Sequence, residues 1–266
     1  MFRETMALTN RELKHWYRAK IQIFMMLIQP IVWLGLFGQA FPADIPKWML
    51  NGAPDYMSYM SVGQLAIIAL FTCMFVGMSL VWDRRFGFLN KLRAAPIPRA
   101  AIPISRVLAT VVRAVVAALL VLLIAILFTQ IPGLKGLTIT GNFGVLEFLG
   151  VILILVLLAV AFASIFVAIA LTIKQQETLF AVINLVNLPL MFASAALFPI
   201  ATMPTWLQAV AKVNPLTLAV DGMRQLFFAN STGIYSLGVD ILGLALFSGF
   251  FLVVGIVVAM RSLKEK

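Results

Sequence analysis

The residues able to do covalent or metal chemistry are few and scattered. One histidine (His15), one cysteine (Cys73) and ten carboxylates occur in 266 residues. No G-x-x-x-x-G-K-[ST] phosphate loop, Ser/His/Asp set, Cys/His ligand set or deeply placed carboxylate pair can be assembled from them. The expectation is therefore a chain without catalytic, metal or cofactor residues. What does recur with a usable spacing is charge interleaved with bulk: Asp83, Arg84, Arg85, Phe86, Gly87, Phe88, Leu89, Asn90, Lys91, Leu92 and Arg93, followed by Pro96, Pro98 and Arg99. Apolar anchors beside cationic groups do the chemistry of recognition: the anchors enter a groove, and the charges orient the contact or hold anionic lipid.

Helical spacing puts Phe88, Leu89 and Leu92 on one face and spreads Arg84, Lys91 and Arg93 toward the others. This predicts a short amphipathic helix at the membrane surface, ended before Pro96 because the residue ahead of a proline resists the helical conformation. The alternative is a basic loop that only fixes orientation.

The elements that must position this segment are membrane spans. A chain that is 62% hydrophobic and 11% charged is an integral membrane protein. Six runs are long and apolar enough to cross as helices: roughly 21–41, 58–81, 104–128, 148–173, 178–200 and 236–260. None alternates as a barrel strand does. With the amino terminus inside, sixteen basic residues fall on the cytoplasmic side against Lys47, Lys135, Lys212 and Arg224 outside. Both termini are therefore expected in the cytoplasm. The net charge of +10 is accounted for by topology and anionic lipid, with no nucleic-acid partner.

Residues 1–20 read as an interfacial amphipathic helix, with Phe2, Met6, Thr9, Leu13, Trp16 and Tyr17 on one face and Glu4, Arg11, His15 and Arg18 on the other. His15 is read as a surface residue and Cys73 as a small packing residue. Arg106 and Arg113 share a face of the third span, and Arg113, about 9 Å into the span, is placed to snorkel to the headgroups. Ala159, Ala163, Ser164, Ala168 and Ala170 give the fourth span close-packing positions. Asn184 and Asn187 of the fifth, with Pro189, prefer a protein-facing place and are candidates for a path or dimer contact.

The stretch 198–232 lies outside yet stays apolar. Pro204 opens one short helix with Trp206, Leu207 and Val210 on a face. Asn214 and Pro215 cap and open a second, where Asp221 and Arg224 stand three apart as a candidate pair. A re-entrant outer hairpin is expected, acting as an outer gate through Phe198, Pro199, Pro204, Trp206, Asn214, Pro215, Asp221 and Arg224. The alternative is a hairpin lying on the surface.

Over nearly its whole length the chain resembles the permease subunit of the ABC type-2 exporter family, which includes drug-resistance, nodulation-factor and surface-polysaccharide export permeases. Two segments carry the resemblance: Asp83 to Arg99, and Phe198 to Arg224 with its Phe-Pro, Met-Pro-Thr-Trp-Leu, Asn-Pro-Leu and Asp-Gly-Met-Arg elements. Asp83 stands where a glutamate is common. The resemblance implies an all-α, single-domain half-transporter of six spans (residues 1–266) that pairs with a second permease copy or close paralogue. It also implies two copies of a separate ATPase subunit, which would bind ATP and Mg, docked on the loop 83–103. Asp83, Arg84, Arg85, Phe86, Gly87, Phe88, Leu89, Lys91, Leu92, Pro96 and Arg99 are the coupling residues on this reading. An ion-coupled secondary transporter is disfavoured because Glu147, Asp221 and Asp240 lie at or beyond span ends. A membrane enzyme is disfavoured for want of a catalytic set. Phe, Met and Trp in the spans favour a hydrophobic small molecule or lipid as cargo, with a lipid-linked glycan second.

Overall fold

A computed structural model describes residues 2–40, 46–87, 98–141, 143–173, 175–229 and 231–264. Every regular element among them is helical. The N-terminal helix α1 is Phe2–Arg18. Next, α2 begins as Lys20–Val32, contains Pro30 and passes through a π-helical turn at Trp33–Phe37 before ending at Ala40. A proline inside a helix deletes one ladder hydrogen bond, and the wide turn after it takes up the irregularity.

The central element is α3, Tyr56–Arg85. Asp55 starts it by accepting from the Ser58 N–H at 2.7 Å. Gly87 stops it: at φ +71 its N–H reaches back to the Arg84 carbonyl, a left-handed ending that glycine adopts without strain. The single helix expected over Asp83–Leu92 is thus not formed. Asp83, Arg84 and Arg85 are the last turn of a span, and Phe86–Gly87 is a break. The remainder of that expectation, with Phe88, Leu89, Lys91, Leu92 and Pro96, lies outside the described residues.

Three more long helices follow: α4 (Ala101–Leu127), α5 (Val145–Thr172) and, last in the chain, α9 (Leu237–Lys264). Between them lie α6 (Gln176–Phe192), α7 (Thr205–Val213) and α8 (Pro215–Phe227). Among the described residues five helices are long and apolar enough to cross a membrane, namely Lys20–Ala40, Tyr56–Arg85, Ala101–Gln130, Val145–Thr172 and Leu237–Ser262. The sixth expected span, 178–200, is shorter as a helix. Its helical part α6 has 17 residues and so spans about 26 Å. Beyond Phe192 the chain turns irregular, because side chains from α8 and α3 take over its backbone hydrogen bonds.

One buried core joins α3, α4, α5 and α8. Both α3 and α5 are apolar on nearly all sides and pack against each other, against α4 and against α8, and α5 also carries α9. The small residues of α5 serve contacts within the chain. The Cys73 thiol lies 3.6 Å from the Ala159 carbonyl, and a side chain at Gly255 would meet the Ser164 carbonyl at 3.0 Å. Cys73 is fully buried.

α1 packs on α4 through the flank of its apolar face that carries Thr9. Thr5, Thr9 and Glu12 are buried there, while Phe2, Met6 and Tyr17 of the apolar face are exposed. Much of the apolar face stays exposed, and the strip of Thr5, Thr9 and Glu12 beside it meets the arginines of α4.

Candidate functional site

Two polar clusters sit at opposite ends of α3, and the first is built on Glu12. Its Oε2 accepts from Arg106 Nη1 at 2.7 Å and from Arg113 Nη2 at 3.3 Å, and its Oε1 accepts from Arg11 at 3.4 Å. Arg106 also donates to Asp83 in a close ion pair and to Ser79 Oγ at 3.4 Å. Arg113 donates further to the Glu12 carbonyl at 2.9 Å, which ties it to α1. Arg106 is 5% exposed. A guanidinium so buried is stable only when its charge and its N–H groups are met. Glu12 and Asp83 do this from α1 and α3, fastening both to α4 where the chain re-enters the bundle.

Arg84 turns instead toward α5, donating to the Leu171 and Ile173 carbonyls at 2.8 and 3.1 Å and capping the end of that helix. Arg85 and Phe86 are exposed beside the break at Gly87. Arg85 borders a recess of about 390 Å³ with Gln175, Gln176 and Glu177. Arg99 is also exposed, where the described chain resumes. This end therefore presents exposed basic and aromatic side chains on a base held by ion pairs.

The second cluster satisfies the irregular backbone after α6. Asn214 is its hub: its amide donates to the Leu190 and Ala193 carbonyls at 2.8 and 2.6 Å, and its Oδ1 accepts from the Leu216 N–H at 2.9 Å. One side chain thus caps the end of α6 and the start of α8, where Pro215 occupies the first helical position. Thr217 accepts from the Ala195 N–H, and Tyr56 donates to the Leu197 carbonyl. Arg224, fully buried, donates to the carbonyls of Ala195 and Tyr59 at 2.9 Å each. Gly63 of α3 lies so close that a Cβ there would overlap the Ala196 carbonyl. Buried irregular backbone is stable only when protein groups satisfy it, and these side chains do so.

The expected Asp221–Arg224 pair does not form among the described residues. Asp221 instead accepts from the Ile234 and Tyr235 N–H groups at 2.7 and 3.1 Å. Its other oxygen is buried without a hydrogen-bond partner, as is one oxygen of Asp240, whose other oxygen accepts from Gln225 at 2.8 Å. Burial pushes the Asp221 carboxyl above the usual carboxylate range, against the two backbone donors, which lower it. Trp206, 68% exposed, points α7 outward. Pro204 precedes α7, Pro199 precedes a short turn of helix, and Phe198 is partly exposed.

Between these clusters α2, α3 and α6 wall an open cavity of about 580 Å³. Met25, Met26, Phe71, Met74, Phe75 and Met78 make its apolar wall. Gln22, Gln29 and Thr72 are its uncharged polar groups, and Trp16 and Arg113 lie at the end nearer α1. Asn187, 2% exposed, donates to Met74 Sδ at 3.1 Å, which places it behind that wall. Asn184 bonds the Phe180 carbonyl of its own helix.

A family model described as ABC-2 type transporter matches residues 3–228. The chain belongs to the ABC-2 type transporter family. Its relatives include a putative transport permease, ycf38, of Cyanophora paradoxa, 32% identical over 80% of this chain and 70% of the relative. The ycf38 permease of Pyropia yezoensis is also 32% identical, over 85% of this chain and 75% of its own length. A probable doxorubicin resistance ABC transporter permease, DrrC of Mycobacterium tuberculosis, is 28% identical over 83% of this chain and 75% of its own.

In this ABC-2 permease several partners carried no clear sequence signal. Glu12 is one of two carboxylates in a basic segment, with Glu4, and only its helical register opposite the start of α4 marks it. Tyr56 and Tyr59, spaced as helix neighbours at the start of a span, look like ordinary interfacial aromatics. Arg106 and Arg113 were legible as a pair on one face, though not their shared carboxylate.

Proposed function

We propose that this permease is the membrane half of an ATP-driven exporter, working with a second permease copy or close paralogue and two copies of a separate ATPase. It resides in the cytoplasmic membrane with both termini inside. The ATPase, which holds ATP and Mg, docks on the loop between α3 and α4, where Phe86, Phe88, Leu89 and Leu92 are the apolar anchors and Arg85, Lys91 and Arg99 orient the contact. Pro96 stiffens the return. The cargo is a hydrophobic small molecule or lipid, passing through the cavity walled by α2, α3 and α6. The hairpin 198–232 closes the outer end.

The observation that carries this reading is the ion network of Glu12, Arg106 and Asp83. It joins α1, α3 and α4 at the two ends of the loop, so a load applied to the loop reaches three helices together. Arg84 extends the same fastening to α5. A chain using the loop only for orientation has no need of buried arginines at its roots.

The test is the double variant Phe88→Ala, Leu92→Ala, which keeps every charge. Loss of export with normal membrane insertion, and with the ATPase either released or hydrolysing without moving cargo, is the expected result. Normal export by the double variant would refute the assignment. An ion-coupled mechanism draws on the buried carboxyls Asp221 and Asp240, but Asp240 lies in the first turn of α9. Export that continues without ATP in the presence of an ion gradient would favour that mechanism.

A further inference from the structure

We propose that the cavity between α2, α3 and α6 takes an amphiphile with a single anionic headgroup, a carboxylate or phosphate, seated at Arg113 with its apolar body along the methionine and phenylalanine wall. This rests on the reading of the cavity as part of the path and names the class of cargo it accepts. The volume, about 580 Å³, lies in the range that holds a drug-sized ligand. Its charge is one-sided: among the described residues that line it, Arg113 is charged and the rest are neutral.

Arg113 has donors to spare. Nη2 is engaged by the Glu12 carbonyl and carboxylate, whereas Nε is buried without a partner. Glu12 does not neutralise it alone, because the same carboxylate also meets Arg106 and Arg11. Three guanidiniums thus share Glu12, with Asp83 opposing only Arg106. The surplus positive charge faces a cavity whose apolar surround strengthens any charge-assisted hydrogen bond made there. A cationic headgroup would meet the same surplus as repulsion. Gln22 and Gln29 add neutral polar groups along the wall, and the four methionines adapt to an alkyl or aromatic body.

Three photoreactive probes with the same alkyl chain test this in proteoliposomes of phosphatidylcholine containing the intact permease: an alkyl phosphate, an alkyl trimethylammonium and an alkyl alcohol. The phosphate should label Met25, Met26, Met74 or Met78 at least about tenfold more than the ammonium probe. Arg113→Gln should bring that ratio to within about twofold while leaving labelling by the alcohol, and Arg113→Lys should retain the preference. Adding phosphatidylglycerol separates the sources. Suppressed phosphate labelling identifies a bilayer lipid as the natural occupant, and unchanged labelling identifies a free amphiphile, both within the proposed class. Equal labelling by phosphate and ammonium, or a preference for ammonium, overturns the anionic assignment and leaves the path reading intact. Failure of all three probes to label the cavity overturns the path reading itself. The comparison of probes on the unmodified protein stands even if a variant fails to fold.

Discussion

The guanidinium carbon of Arg224 lies 3.3 Å from the centroid of the Tyr59 ring, and its Nη2 donates to the Tyr59 carbonyl at 2.9 Å. The Tyr59 hydroxyl in turn donates to the Ala195 carbonyl, which also accepts from Arg224 Nη1. Two side chains and two backbone carbonyls thus close on one another, and the cation is retained at zero exposure with one face on the Tyr59 ring and both terminal nitrogens on carbonyls.

Arg224→Met removes the donors to the Ala195 and Tyr59 carbonyls while keeping the bulk. We expect a loss of about 2–4 kcal/mol, from unmet carbonyls and a lost cation–π contact. Thermal unfolding in detergent reads it as a lowered Tm, and a Tm equal to that of the parent would show that Arg224 is dispensable to the hairpin.

At the other end, Glu12→Gln keeps the shape and removes the charge that Arg106 and Arg113 share. The expected cost is about 3 kcal/mol, that of a buried cation deprived of one partner. Export should fall more steeply than membrane insertion or abundance, since the loop roots loosen. A variant exporting at the parent rate would mean that this network is structural ballast.

Asp221 gives a pH dependence whose sign follows from its environment. Burial raises its native pKa above the unfolded value, so the native state binds the proton more tightly. Stability contributed by this proton is fully present below about pH 4 and is lost as pH rises through the raised native value. The backbone donors of Tyr235 and Ile234, the Arg224 charge and the Asn51 side chain oppose that burial without cancelling it. Asp221→Asn should therefore raise Tm at alkaline pH and flatten the fall of Tm as pH rises above the ordinary carboxylate range, as measured by scanning fluorimetry. A steeper fall in the variant would reverse the assignment.

Topology is open to cysteine labelling, since native Cys73 is fully buried and should stay silent. Lys135→Cys should react with an impermeant maleimide in intact cells, and Arg99→Cys only after the membrane is opened. Both positions are exposed. Reaction of position 99 from outside would invert the scheme.

Hydropathy located the long helices because crossing a bilayer demands apolar length, which is a property of the sequence itself. The Asn214–Pro215 start of α8 was legible for a similar reason: cap and first-turn proline are local devices. What stayed hidden was non-local. The spacing of Asp221 and Arg224 suggests a pair, yet bare carbonyls at Ala195 and Ala196 outcompete Asp221 for the arginine, and nothing near Arg224 in sequence announces them. Gly87 was present as a stop, but the apolar residues after it read as a continuing helix face. Likewise the amphipathicity of α1 revealed a helix but not the side that packs on α4, because that side is chosen by one carboxylate facing two arginines.

Gly63 places the backbone of α3 against the turn at Ala196 with no side chain between them, and this has a mechanical reading. Between Tyr59 and Asp83 α3 runs unbroken and without proline, a stiff lever of about 36 Å. Tilting it by about 5° displaces one end by roughly 3 Å relative to the other. Contact through a flexible side chain would absorb that stroke, whereas backbone against carbonyl leaves almost no slack. A swing imposed at Asp83 would thus reach the turn at Ala196 with little loss, its amplitude set by the length of one helix.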